Sequence, residues 1–275
     1  MSEIKENQPM SEYLSHEGIG SSTLKNILSS PRDYKYALEM PKKETKPQML
    51  GTFIHTYMLE RHLMKDEYMI QPEDWGPLTK NPGYSLWKEF KQNAEEQGKK
   101  PIKYKDGEFA LRLNREMDDH EPLKDILSNA KSEVSFYTNI DGVPVKSRED
   151  LWCPDYKSVW DVKSCSKDID DDSLSKVIFN NGYHFSAAHH MQVMKLCGVE
   201  VETWGWIFVS TGTPCPHIII KEASEELIEA GLRDWHYAFN RLIESLETDS
   251  WDGYSKEIEK IGLPYFANKY YDKGL

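Results

Sequence analysis

Apolar positions recur at helical spacing through the first half of the chain, switch to strand-like alternation in the middle, and return to helical spacing near the end. In SSTLKNILSSPRDYKYAL, Ser21 or Ser22 can cap a short helix carrying Leu24, Ile27 and Leu28. Ser30-Pro31 ends it, and Tyr34 with Tyr36 opens a second aromatic segment, so the stretch predicts a helical hairpin. PKKETKP (41–47) is a polar, Pro-bounded loop. Leu50, Phe53, Ile54, Tyr57 and Met58 then form one stripe of a clear helix. His55 lies on its flank, with Gly51 one turn earlier on the same side, where a glycine would leave open space over the imidazole. Residues 71–107 predict a surface excursion plus a helix through Trp87 and Phe90. Residues 108–130 read as helical, with Leu111, Leu113, Met117, Leu123, Ile126 and Leu127 at apolar positions.

The centre of the chain, Val134 to Lys163, predicts a sheet. Asp141-Gly142 is a hairpin dipeptide, Val143 and Val145 alternate with smaller or polar residues, Pro154-Asp155 marks a second turn, and Val159–Lys163 forms another β-rich run. The acidic run Asp168, Asp170, Asp171 and Asp172 reads as a solvated helix start; it lacks the central Gly and terminal Glu of a calcium loop. Residues 174–197 are helical with a break at Asn181-Gly182. TWGWIFVS (203–210) is a buried strand with Ile218–Ile220 as its hairpin partner, and a long amphipathic helix starts at Ser224. The organisation expected is a flexible lead (1–20), one domain (21–250) with a helical excursion at 71–130, and a C-terminal tail (251–275).

Composition narrows the class. In 275 residues, 39% are hydrophobic and 12% aromatic, enough for a substantial core, and no stretch approaches the roughly 18 apolar residues of a membrane helix. The N-terminal stretch is polar and lacks the apolar core of a secretory signal, so a cytoplasmic location is expected. Cys153, Cys165, Cys197 and Cys215 form no CxxC pair, which argues against a zinc ribbon. A net charge of −12 counts against a general nucleic-acid binder but leaves room for an enzyme whose basic residues line one channel. The lysines from Lys80 to Lys105, interleaved with Trp87, Phe90 and Tyr104, fit a solvated face better than a DNA surface.

Candidate chemistry concentrates in VKSREDLWCPDYKSVWDVKS (145–164). Period-two geometry puts Asp161 and Lys163 on one face of their strand, with Asp150 near the end of the preceding run. Two carboxylates and a lysine at one sheet edge suit magnesium-dependent phosphodiester hydrolysis, the carboxylates holding a hard cation and the lysine stabilising charge or orienting water. Arg148 can pair with Glu149 or contact phosphate. His184, His189 and His190 lack the i, i+4 spacing of a helical metal clamp.

The ordered set of His55 on a helix, Asp150 in R-x-D, Asp161-x-Lys163 on a strand, and a following helix with Tyr183 and His184 resembles the PD-(D/E)xK nuclease superfamily, in particular its RecE-like (exonuclease VIII) branch related to RecB-type nucleases. SSTLKNILSSPRDYKYAL is similar to that family's serine-proline element, GTFIHTYMLE to its G-x-x-x-H helix, and KSREDLW…WDVKS to its catalytic hairpin. The resemblance spans roughly residues 18 to 245. It implies an α/β fold, a mixed sheet flanked by helices. It also implies a metal bound by His55, Asp150, Asp161 and the backbone carbonyl of Val162, with Lys163 orienting or activating water. The cofactor implied is Mg2+, with Mn2+ able to substitute. DNA contacts are expected at Arg148, Ser164, Tyr183, His184, Ser186 and His190. The family's Q-x-x-x-Y pair is replaced here by Ser186 and His190, which puts substrate handling in question. Some relatives carry a four-cysteine iron–sulfur cluster with one cysteine far upstream; all four cysteines here follow residue 150, so none is expected.

The activity implied is 5′ to 3′ digestion of linear double-stranded DNA, leaving 3′ single strands for a single-strand annealing protein, in a homo-oligomeric ring. A ring would reconcile the acidic chain with DNA by concentrating basic residues inside it. The rivals are a single-strand, flap or site-specific endonuclease of the same fold, and a catalytically silent DNA-binding module.

Overall fold

The computed structural model describes residues 2–40, 45–73, 81–213, 215–264 and 267. The chain begins with β1 (Glu3–Lys5), α1 (Met10–Ser15), α2 (Ser21–Leu24), α3 (Pro31–Glu39) and α4 (Lys46–Leu59). The excursion follows: α5 (Met64–Glu67), β2 (Tyr68–Ile70), α6 (Asn81–Glu96), β3 (Lys100–Ile102), α7 (Tyr104–Asp119) and α8 (Glu121–Asn129). The centre holds β4 (Lys131–Ile140), β5 (Val143–Cys153) and β6 (Ser158–Cys165). The chain then runs through α9 (Asp171–Asn181), α10 (Tyr183–Leu196), β7 (Thr203–Ser210), β8 (Ile218–Glu222) and α11 (Glu225–Thr248).

One six-stranded sheet runs in the order β1-β4-β5-β6-β7-β8, antiparallel except for the β6–β7 pair, so it is mixed, as expected. The parallel pair is joined through α9 and α10, which cover one face together with α11. That face carries a core of Phe136, Val145, Val159, Trp206, Phe185 and Trp235. The opposite face is covered by α4, α7 and α8, with Ile54, Leu113, Leu123 and Ile126 packed on Leu151, Val162 and Ile207. Helices on both faces explain why the middle strands are apolar or internally paired at almost every position. Phe53 on α4 meets Tyr68, Ile102 and Ala110, which ties the small parallel β2–β3 sheet to the body.

Local chemistry sets the boundaries. Ser30 Oγ accepts from the Asp33 N–H at 3.0 Å with Pro31 in the first turn, so α3 starts where the serine-proline pair stands. Asp170 and Ser224 cap α9 and α11 in the same way, and the acidic run is a helix start. Gly182, at φ +65°, breaks α9 from α10 in a left-handed conformation that favours glycine. Residues 203–210 do pair with Ile218–Glu222.

Several expectations need correction. The first twenty residues are not a loose lead. β1 extends the sheet antiparallel to β4, Tyr137 Oη donates to Gln8 Oε1 at 2.6 Å, and Lys146 Nζ donates to the Tyr13 carbonyl at 2.8 Å. A polar segment carries no apolar signal, yet strand pairing and a buried ammonium dock it. Leu111 is 66% exposed on the outer side of α7, whereas Leu113 is fully buried. Trp251, where the tail begins, stacks on Tyr34 with ring centroids 6.0 Å apart. Lys80 and most of the aromatic end of the tail, from Tyr265 on, lie outside the described residues.

Candidate metal centre and active site

The site forms where two strands part. β5 and β6 pair over three residue pairs, from Cys153↔Ser158 to Leu151↔Trp160. Asp150 and Asp161 are the first residues past the last pair. Their ladder is open there, and Asp150 Oδ2 accepts the Val162 N–H at 2.7 Å in place of a backbone carbonyl. The N–H and C=O of one extended residue project to the same edge, so the Val162 carbonyl is directed toward this fork as well.

β5 also changes face here. Val143 and Val145 pack in one core while Leu151 and Cys153, of the same parity, pack in the other. The partner strand is irregular at the same level. Ser132↔Leu151 and Val134↔Glu149 bracket Glu133, which stands opposite Asp150 with φ +57°. Such a backbone is uncommon for a non-glycine residue and costs on the order of 1 kcal/mol or more. Here it delivers the Glu133 carboxylate into the fork.

α4 supplies the remaining group. Gln48 Oε1 accepts the Thr45 N–H at 2.8 Å and organises the helix start. His55, one turn from the helix end, then faces the sheet. Its Nε2 lies 3.0 Å from Asp150 Oδ1 and its Nδ1 3.4 Å from Glu133 Oε1. Donor atoms of His55, Glu133 and Asp150 all fall within 4.8 Å of one another. Gly51 lines the same cavity as His55. A Cβ there would also stand 3.1 Å from Ser164 Oγ, so the glycine admits β6 close to the helix as well.

Beside this group, Lys163 Nζ donates to Asp161 Oδ1 at 2.6 Å and lies 5.4 Å from the centroid of the Tyr183 ring. A cavity of about 420 Å³ opens over the whole arrangement, lined by His55, Glu133, Arg148, Asp150, Lys163 and Tyr183.

The electrostatics follow from crowding acids in a buried fork. Burial alone would depress the His55 imidazole, but the Asp150 and Glu133 carboxylates outweigh it and push it up to about 9. Burial pushes Glu133 up to about 7 against His55, with Asp150 adding to the rise. Burial also raises Asp161, to about 6, with Asp150 adding to the rise and Lys163 opposing it. Asp150 is held below the ordinary carboxylate range because His55, Lys163 and the Val162 N–H overcome its burial. Glu133 Oε1 is buried without a hydrogen-bond partner among the described residues. A carboxylate oxygen that makes no hydrogen bond, with a second carboxylate and an imidazole within 4.8 Å, is a donor set that suits a divalent cation, so the residues present fit one.

Sequence reasoning missed Glu133, and no local signal could have found it. It lies on the neighbouring strand in a run reading KSEVSFYTNI, and only sheet pairing brings it opposite Asp150. Asp161 stands at the fork but outside the three-donor group, bonded to Lys163. Ser164 and Tyr183 line the cavity.

The other DNA-facing expectations change. Arg148 is largely buried and bonds Glu133 through Nε and the Gln8 carbonyl through Nη1 at 2.7 Å, not Glu149, while its side chain still borders the cavity. Its guanidinium offsets the charge of the buried Glu133 carboxylate. His184 turns away from the site, stacked on Phe179 and 3.2 Å from Asp234. Ser186 does not line the cavity. His190 Nδ1 lies 2.8 Å from Glu149 Oε2, beneath the site, and Ser147 Oγ donates to the other Glu149 oxygen at 2.6 Å. These side chains became inward-facing because α10 is covered by α11 on one side and by the sheet on the other.

Residues 20–264 match the family described as PDDEXK-like domain of unknown function (DUF3799). The chain belongs to this family. The PD-(D/E)xK resemblance drawn from the motifs therefore holds, as does the mixed sheet flanked by helices. Among solved structures the chain is similar to a candidate exonuclease from Eubacterium rectale, with a TM-score of 0.61 at 12% identity over 96% of this chain and 98% of that one. A phage-related exonuclease from Haemophilus somnus 129PT matches with a TM-score of 0.34 at 12% identity, over 87% of this chain and 100% of that one. The first of these shows a shared fold. No curated protein matches the chain. Among the described residues no helix is long and apolar enough to cross a membrane.

Proposed function

We propose that this protein is a metal-dependent DNA exonuclease acting on linear double-stranded DNA, 5′ to 3′, and leaving 3′ single strands for a single-strand annealing protein. One observation carries the reading: three metal donors from three separate elements meet at the strand fork, with the Asp161–Lys163 pair alongside. Glu133 Oε1 makes no hydrogen bond and lies 3.4 Å from His55 Nδ1, so it remains able to take a cation together with His55 and Asp150.

His55, Glu133 and Asp150 would hold Mg2+, or Mn2+ in its place, with Asp161 and the Val162 carbonyl on the same side of the fork. When bound, the cation supplies Lewis-acid polarisation of the phosphate and a more acidic water. Lys163, anchored by Asp161, presents an ammonium to developing negative charge and orients the attacking water. Tyr183 fixes the lysine from the helix side. The family match and the Eubacterium rectale fold support the reading. The acidic overall charge is compatible with a homo-oligomeric ring in the cytoplasm whose lumen gathers the basic groups.

The test is incubation with linear duplex DNA labelled at either end, in Mg2+, Mn2+ or EDTA. Metal-dependent release of the 5′ label as mononucleotide is the expected result. Cleavage of covalently closed circles would replace the exonuclease by an endonuclease, and full activity in Asp161→Ala or Lys163→Ala would refute the site.

A further inference from the structure

A second concavity adjoins the first. Between the start of α4, α6, β3 and the start of α7 lies a groove of about 550 Å³. Lys46, Lys91, Lys103 and Lys105 line it, all exposed, against one carboxylate, Asp106, among the described residues that do so. In a chain of net charge −12, four lysines facing one aspartate across a groove are a local inversion of sign. Of the four, Lys91 also lies 4.0 Å from Glu95, one turn along α6. Trp87 forms part of the lining, half-buried, with its ring stacked on Phe90 at 5.5 Å and the Lys103 ammonium 5.9 Å from its centroid. The indole is thus braced from the body of α6 and flanked by cations.

Ser164, the residue after Lys163, lines both the groove and the acidic cavity. The two are therefore neighbours along β6. A phosphate chain placed at Lys163 would pass Ser164 and run on into the lysines.

We infer that this groove binds a single strand of DNA continuous with the strand at the metal centre, its phosphates on Lys46, Lys91, Lys103 and Lys105 and a base stacked on Trp87. This rests on the nuclease reading for its direction but not for its chemistry. The single strand is favoured over duplex by the tryptophan, because a base offers its flat face to an aromatic ring only when it has left the duplex stack. Lysines, as mobile point charges, follow phosphates without reading sequence, so the groove holds any sequence.

The experiment measures binding of a fluorescein-labelled oligothymidylate to the full chain by anisotropy in EDTA, where no turnover intervenes, across a salt series. Trp87→Ala is expected to weaken binding by roughly 5- to 150-fold, the value of one stacked base. Lys103→Ala with Lys105→Ala, both exposed, is expected to reduce the slope of log K against log salt by about 1.4, from about 0.7 per phosphate contact on a single strand. Lys176→Ala, on the remote surface of α9, is the control and leaves both unchanged. Wild-type affinity and slope in the lysine pair would overturn the inference. So would an equal loss of affinity by Trp87→Ala for a closed-ended duplex. Failure of the wild-type chain to cut DNA in metal, with this binding intact, would instead refute the nuclease reading alone.

Discussion

His189 is sealed in the core with both ring nitrogens committed. Trp235 Nε1 donates to its Nδ1 at 3.1 Å, so the proton is on Nε2, which donates to the Lys146 carbonyl at 3.0 Å. Burial, with the neighbouring His190, pushes its pKa down to about 3. The unfolded chain protonates it near 6.5, so below that pH the unfolded state gains a proton the folded state refuses, and stability falls as pH falls. The slope approaches about 1.4 kcal/mol per pH unit below about pH 6, and the loss accumulated by pH 5 is about 2 kcal/mol. Asp161 and Glu133, with raised values, work in the opposite direction over part of the same window, since their folded forms take up protons first. The diagnostic quantity is therefore the difference between wild type and His189→Gln, in which those contributions cancel. Urea unfolding followed by tryptophan fluorescence should show the two stability curves converging by about 2 kcal/mol from about pH 7 to pH 5. Parallel curves, or a His189 imidazole that titrates near 6.5 in the folded chain by NMR, would show that the ring is not locked neutral.

Other perturbations test other parts. Arg148→Met strands the Glu133 carboxylate in the interior and should cost about 3–5 kcal/mol in denaturant unfolding; adding Glu133→Gln should recover part of it, and no recovery would mean that the pair is not the reason. Glu133→Gln alone should weaken Mn2+ binding roughly tenfold or more by calorimetry, and unchanged affinity would remove Glu133 from the ligand set. Gly231→Ala would place a Cβ 2.2 Å from the His184 carbonyl oxygen where α11 crosses α10. It should cost about 1–3 kcal/mol, read as a lowered Tm; a neutral result would mean that the two helices can separate freely.

The stretch from Asp150 to Lys163 was legible because everything that defines it is local. A turn dipeptide, β-branched alternation and a period of two place Asp161 and Lys163 on one face without reference to the rest of the chain. The α4 stripe was legible for the same reason, and it carried His55 with it. Misreadings occurred wherever a residue's role depends on what lies across a strand or under a helix. Arg148 and Glu149 are adjacent charges in sequence, yet one pairs with Glu133 and the other with His190, because neighbours along a strand point to opposite faces. The polar N-terminus gives no apolar signal, but pairing with β4 and the carbonyls collected by Lys146 hold it in place.

By itself the amino-acid sequence determined the identity of the elements, the core-facing stripes and half of a metal site, since periodicity and turn chemistry act over a few residues. Tertiary structure alone decided the other half. It set Glu133 opposite Asp150 through strand register, opened the ladder where β5 and β6 diverge, and turned His184 and His190 inward by covering α10. It also gathered distant lysines around Trp87. The physical reason is that backbone hydrogen bonding propagates locally, whereas the placement of charge depends on which surfaces are covered, and covering is settled only when the sheet and its helices pack together.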